Sequence, residues 1–193
     1  ARHLHDAAKT SVADHQGRIP SDAATLATLP GIGPYTAGAV ASIAFGERVP
    51  AVDGNVTRVL SRVFRFTEDV TRPSARRRLQ DRAHGLVSPG RPGPFNQALM
   101  ELGATVCTPR RPRCPACPFG EICLARAAGM QSNLPRMPAK HPMKTVPVVF
   151  AYIRARGRIL LVHRGRRDIL GSLWSLAGGE IHGSASPRAA LRD

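Results

Sequence analysis

The sequence predicts a mainly α region at residues 1–128, a linker at 129–146 and the start of a small α+β region at 147–193. Three observations carry that expectation. Apolar residues recur at helical spacing through the first region, with Gly or Pro at its breaks. All four cysteines lie in one short stretch near its end, from Cys107 to Cys123. Past the Pro-containing linker the apolar period shortens to that of strands.

Taken in order, Leu4, Ala7, Ala8 and Val12 mark a first helix ending near Gly17. Ser21 or Asp22 can cap a short second helix over Ala23–Thr28. The run Leu29-Pro30-Gly31-Ile32-Gly33 breaks the chain. Pro34 then restarts a helix at its first position, where a missing N–H costs nothing. Ala37, Val40, Ala41 and Ala44 share one face of that helix, and Gly46 ends it. Val49–Val52 reads as extended, Asp53-Gly54 as a turn, and Val56, Val59, Leu60 and Val63 as the next helix. Arg76–Leu86 and Phe95–Val106 are two more. After the linker, Val148–Arg154 and Ile159–His163 are expected to form a hairpin around Gly157. Leu173–Leu176 is expected to begin a third strand before Gly178-Gly179, with Trp174 in its core. This last region is too short to bury a stable core alone, and the chain opens on Ala inside a running helix. The expectation is therefore a fragment of a longer protein.

The formal net charge is +15, and 25 of the 28 basic residues are Arg. A field of that sign attracts a polyanion, most commonly nucleic acid, although a GC-rich genome also enriches Arg. An anionic membrane is disfavoured, since no run approaches the ~18 apolar residues of a spanning helix. No signal peptide is recognisable. Clustered cysteines do not resemble the spread framework of a disulfide-bonded secreted domain; they point to metal in a reducing compartment.

Three places carry chemistry. Gly31 and Gly33 lie in a tight link between two helices, and the N–H groups of Gly31, Ile32 and Gly33 and of the following helix start can grip a phosphate. An ordinary corner between helices would use the same residues. Asp53 stands between an extended segment and a helix, where a capping role and a role in chemistry are both open. Asn55 is a polar residue of that helix start. Cys107, Cys114, Cys117 and Cys123 give C-x6-C-x2-C-x5-C, four thiolates able to hold tetrahedral zinc or a [4Fe–4S] cluster. Arg110, Arg111 and Arg113 lie between the first two cysteines, either as phosphate contacts or as a solvated basic loop.

The run LPGIGPYTAG at 29–38, followed by VDGNVTR at 52–58, closely resembles the helix-hairpin-helix DNA glycosylases in residues and spacing. The cysteine spacing is similar to the cluster loop of the endonuclease III and adenine glycosylase families. FNQALMELGATVC at 95–107 is similar to the adenine branch. Over nearly its whole length the chain thus resembles A/G-specific adenine DNA glycosylases of the endonuclease III-like superfamily. That resemblance implies a helix-hairpin-helix glycosylase domain with an iron–sulfur cluster loop, then the start of a Nudix-like domain that recognises 8-oxoguanine.

The resemblance further implies hydrolysis of the bond between sugar and adenine in double-stranded DNA bearing A·8-oxoguanine or A·G mispairs. Asp53 falls at the essential aspartate, Asn55 near it, and Tyr35 beside it in an orienting role. Relatives that also cut the strand carry Lys where this chain has Tyr35, which cannot form an imine; Lys9 is the only Lys before the linker. A monofunctional, monomeric enzyme of the bacterial cytoplasm with a [4Fe–4S] cluster on the four cysteines is expected. Glu101 does not match the family's acidic motif and is assigned a surface or structural place. In the Nudix register Ala185 replaces the first metal-binding Glu, so pyrophosphate hydrolysis is not expected. The family's catalytic glutamate lies on a helix upstream of anything here. A general acid contributes about 10²–10⁴-fold, so this polypeptide alone is expected to be weak or inactive. The alternatives are a non-catalytic DNA-binding fragment and an endonuclease III-type glycosylase/lyase.

Overall fold

In a computed structural model, helices α1 (Arg2–His15), α2 (Ala23–Leu26) and α3 (Pro34–Ala44) come first, followed by α4 (Gly54–Val63), α5 (Pro73–Leu86), α6 (Pro92–Thr105) and α7 (Leu124–Ala127). They make up one unit, Ala1–Ala139; the remainder, Lys140–Asp193, forms another. The structure describes residues 2–138, 145–165, 171–181, 186 and 188. No described helix is long and apolar enough to cross a membrane.

Two apolar clusters organise the helical unit. Ala7, Leu26, Leu29, Ala37 and Ala41 pack α1, α2 and α3 around the Leu29–Gly33 link. Val56, Val59 and Leu60 of α4 pack with Leu79 and Ala83 of α5, Leu99 of α6, and Phe66 and Val70 between α4 and α5. Small residues let α3 lie close to its neighbours, which explains why so few aromatic side chains suffice. The helix boundaries follow capping chemistry: Asp22 accepts from the Thr25 N–H at 2.8 Å ahead of α2, and Pro opens α3, α5 and α6.

The stretch expected to be a linker from residue 129 is in part held by the helical unit. Gln131–Asn133 forms a single 3-10 turn, Leu134 is buried, and the Arg136 carbonyl accepts from the Val70 N–H at 3.1 Å. Leu134 supplies the apolar anchor that a plain Pro and Ser count does not reveal.

In the second unit, β1 (Val148–Ala151) and β4 (Leu161–His163) flank β5 (Trp174–Glu180) in antiparallel order β1-β5-β4. The expected hairpin is therefore confined to its tip, β2 (Arg154–Ala155) against β3 (Arg158–Ile159). The long strands pair with β5 instead of with each other. Nor does β5 stop at the glycines: it runs through them because the β1 backbone passes so close that a Cβ at Gly178 would collide with the Val149 carbonyl oxygen. Trp174 is 66% exposed, its ring edge-on to His163 at 5.0 Å, so it is not a core residue here. Ala185, which bears on the Nudix comparison, lies outside the described residues.

Candidate functional site

The Leu29–Gly33 link closes with the Ile32 N–H donating to the Leu29 carbonyl at 3.0 Å. Gly31 has φ +79°, and a Cβ there would stand 2.5 Å from the His3 Cβ, so α1 and the backbone conformation both demand glycine. Gly33 caps α3 with no side-chain hydrogen bond. The first turn of α3 thus presents N–H groups and the positive end of the helix dipole without an internal acceptor. Gly31 and Gly33 are exposed and Ile32 half-buried.

The start of α4 is built differently. Asp53 Oδ1 accepts from the Val56 N–H at 2.7 Å, and Oδ2 accepts from Asn55 Nδ2 at 3.0 Å. The Asn55 amide is in turn oriented by Arg58, whose Nη2 donates to Asn55 Oδ1 at 2.8 Å. The same guanidinium donates to the Gly103 carbonyl at 2.7 Å and, through Nε, to the Cys107 carbonyl at 2.7 Å. Burial, and then the nearby Arg62 charge, pull Arg58 below its ordinary value. Asn55, Arg58 and Arg62 fall at i, i+3 and i+7, one polar stripe along α4. That stripe meets α6 at Gly103, where a Cβ would come within 2.7 Å of the Asn55 Cβ.

The segment leading into Asp53 is pinned from α6 as well. Asn96, fully buried, accepts from the Ala51 N–H at 3.1 Å and donates to the Val49 carbonyl at 2.9 Å and to Ser42 Oγ at 2.8 Å. Asn96 and Gly103 are positioning residues that the pattern of apolar residues does not announce. Their signal is a buried amide and a glycine on one helix, both on the face turned to α3 and α4.

Tyr35 is 41% exposed, and its hydroxyl hydrogen bonds to Met100 Sδ at 3.5 Å rather than to Asp53. Glu101 is exposed on α6, as expected of a surface residue. Arg110 and Arg111 line an open surface hollow with Thr108 and Pro109. Arg113 is tied back, with Nη2 donating to the Thr105 carbonyl at 2.6 Å at the end of α6.

Cys107, Cys114, Cys117 and Cys123 line one small cavity together with Arg62, Arg113, Arg126, Gln131 and apolar side chains. Burial pushes the Cys117 thiol up, and the three other sulfurs push the same way. Among the described residues, no three His, Cys, Asp or Glu side chains gather tightly enough to hold a single ion. The donor set nevertheless fits an iron–sulfur cluster: four cysteine sulfurs line the cavity, and guanidinium groups line it beside them to offset thiolate charge.

Residues 14–43 match the family described as helix-hairpin-helix motif. A solved non-covalent endonuclease III–DNA complex superposes with a TM-score of 0.56 at 26% identity, over 67% of this chain and 59% of that one. Hairpin, capped aspartate and helical unit together define a helix-hairpin-helix protein of the endonuclease III-like glycosylase fold. Within that class its sequence similarity is to the adenine DNA glycosylases. The human one is 50% identical over 134 residues, 69% of this chain and 24% of the human protein. That of Arabidopsis thaliana is 39% identical over 208 aligned positions, 99% of this chain and 33% of the plant protein. The chain thus spans a quarter to a third of these two relatives.

Proposed function

We propose that the protein containing this chain is a monofunctional adenine DNA glycosylase of base-excision repair, acting on adenine opposite 8-oxoguanine or guanine in duplex DNA. The observation that carries this reading is the anchoring of Asp53. One carboxylate oxygen is fixed by the Val56 N–H and the other by Asn55. Such an anion cannot swing away as charge develops beside it.

In the reaction the target nucleotide must leave the stack, so the protein needs phosphate grips beside the pocket. The uncapped start of α3 behind Gly31, Ile32 and Gly33 offers one, and exposed Arg110 and Arg111 offer another. The bond from the sugar C1′ to adenine N9 breaks with its electron pair going to the base, which takes up a proton. The sugar gains oxocarbenium character, which the Asp53 carboxylate stabilises or traps before water completes hydrolysis. Asn55 holds the orientation of that carboxylate. Tyr35 stands where relatives that also cut the strand carry Lys, and it offers no amine for imine formation.

Cys107, Cys114, Cys117 and Cys123 would hold a [4Fe–4S] cluster. Their spacing, C-x6-C-x2-C-x5-C, resembles the cluster loop of endonuclease III-like glycosylases, which favours the cluster over a tetrahedral zinc. The cluster would brace the loop that presents Arg110 and Arg111. The strands of the second unit would begin a Nudix-like region that reads the opposite 8-oxoguanine. A monomer working in the bacterial cytoplasm completes the reading.

The test is adenine release by the complete gene product from A·8-oxoguanine and A·T duplexes of one sequence, with borohydride present in a parallel sample. Release from the first duplex, little from the second and no trapped adduct are expected. A trapped protein–DNA adduct, or no preference for the mispair, would overturn the proposal.

A further inference from the structure

Arg62 is 2% exposed, and it is the largest of the fully buried side chains. Its partners are neutral carbonyls and one sulfur. Nε donates to Leu134 O at 3.0 Å, Nη1 to Thr108 O at 2.8 Å and Cys107 O at 3.4 Å, and Nη2 to Pro109 O at 3.0 Å. Nη1 also lies 3.3 Å from Cys107 Sγ. None of the ion pairs among the described residues includes it. A second guanidinium, Arg58, meets the same Cys107 carbonyl.

A buried guanidinium without an anion is costly, and proteins normally pair such a charge. Here the anion has to come from the cavity that Arg62 lines. Four thiolates around a [4Fe–4S] core leave the assembly a net anion, and Arg62 already contacts the first of the four sulfurs. Gln131 lines the same cavity with its Oε1 buried and unbonded. Turned over, its amide would present the nitrogen and provide a donor there too.

We infer that Arg62 is the internal counter-ion of the cluster, a positioning residue that couples cluster occupancy to the closure of residues 131–136 over α4 and raises the cluster's reduction potential. The inference rests on the cluster reading above. Its physical content is simple: a fixed positive charge beside an anion favours the state that gains a further electron. Because Arg62 also binds the Leu134 carbonyl, loss of the cluster would leave an uncompensated charge under that segment.

The experiment uses the complete gene product with its cluster, as wild type, Arg62→Met, Arg62→Gln and Arg62→Lys. Iron and sulfide per chain are measured, then the reduction potential by film voltammetry, then proteolysis at residues 131–136. Arg62→Met and Arg62→Gln are expected to lose at least half of the bound iron. What cluster remains should show a more negative potential, and residues 131–136 should be cut faster. Arg62→Lys, which keeps the charge but not the fork, should recover most of the potential and only part of the protection. If Arg62→Met does not fold, Gln against Lys carries the same comparison. A wild type without iron and sulfide refutes the cluster reading itself. An iron-loaded wild type whose potential matches that of the Gln variant refutes the role of Arg62 alone.

Discussion

Two helix starts in this protein solve the same electrostatic problem in opposite ways. Helix α3 begins at Gly33 with no side chain over its first N–H groups, whereas α4 begins under Asp53, which takes the Val56 N–H for itself. An uncapped helix start is left for an outside anion; a capped one has brought its own. The second carboxylate oxygen then receives an amide, an arginine behind the amide, and two carbonyls behind the arginine. A cap worth about 1 kcal/mol does not require three further layers of support. On the proposed function, α3 would be the surface that receives phosphate and α4 the one that holds a charge in place.

The sharpest way to break this contrast is Asp53→Asn. Asn keeps the cap through Oδ1, but its amide nitrogen would face the Asn55 donor that Oδ2 accepts from, so unfolding measured in urea should shift by about 1 kcal/mol. Adenine release should fall by about 10²–10³-fold or more, because the negative charge has gone. A matched fall in stability and release would reduce Asp53 to a cap.

Next in size is Gly103→Ala. The added Cβ would meet the Asn55 Cβ at 2.7 Å. Overpacking of this kind costs about 1–3 kcal/mol. Calorimetry should show the lower melting temperature, and release should fall with it as Asn55 is displaced.

Gly33→Asp transplants the α4 solution onto α3. Stability should rise by a few tenths of a kcal/mol. Duplex affinity measured by anisotropy should drop about tenfold, with a shallower salt dependence, because the new carboxylate competes with phosphate. Unchanged affinity would remove the hairpin from the DNA contact. The smallest effect is expected for Tyr35→Phe. Among the described residues its hydroxyl bonds only a thioether, at 3.5 Å, so release should change by less than about threefold.

Most of the helical unit was legible in the sequence, since Pro34, Asp22, Asp53 and the apolar spacing act locally. The pairing of strands was not. Val148–Arg154 and Ile159–His163 look like neighbours in sequence, yet both long strands prefer β5, and Gly178 reads as a stop until the closeness of β1 explains it. At the site, Asp53 and the cysteines carry recognisable spacing. Asn96, Gly103 and Arg62 do not, because their roles depend on partners 45 or more residues away. Arg62 is the clearest case: within a basic chain nothing distinguishes it until its burial is known.

The most direct measurement is a structure of the complete gene product on a duplex with a non-cleavable adenosine analogue opposite 8-oxoguanine. The Asp53 carboxylate should lie about 3–3.5 Å from the anomeric carbon of an extruded nucleotide, with a phosphate on the N–H groups at Gly33. An aspartate turned into the protein, with the nucleotide seated elsewhere, would contradict this placement.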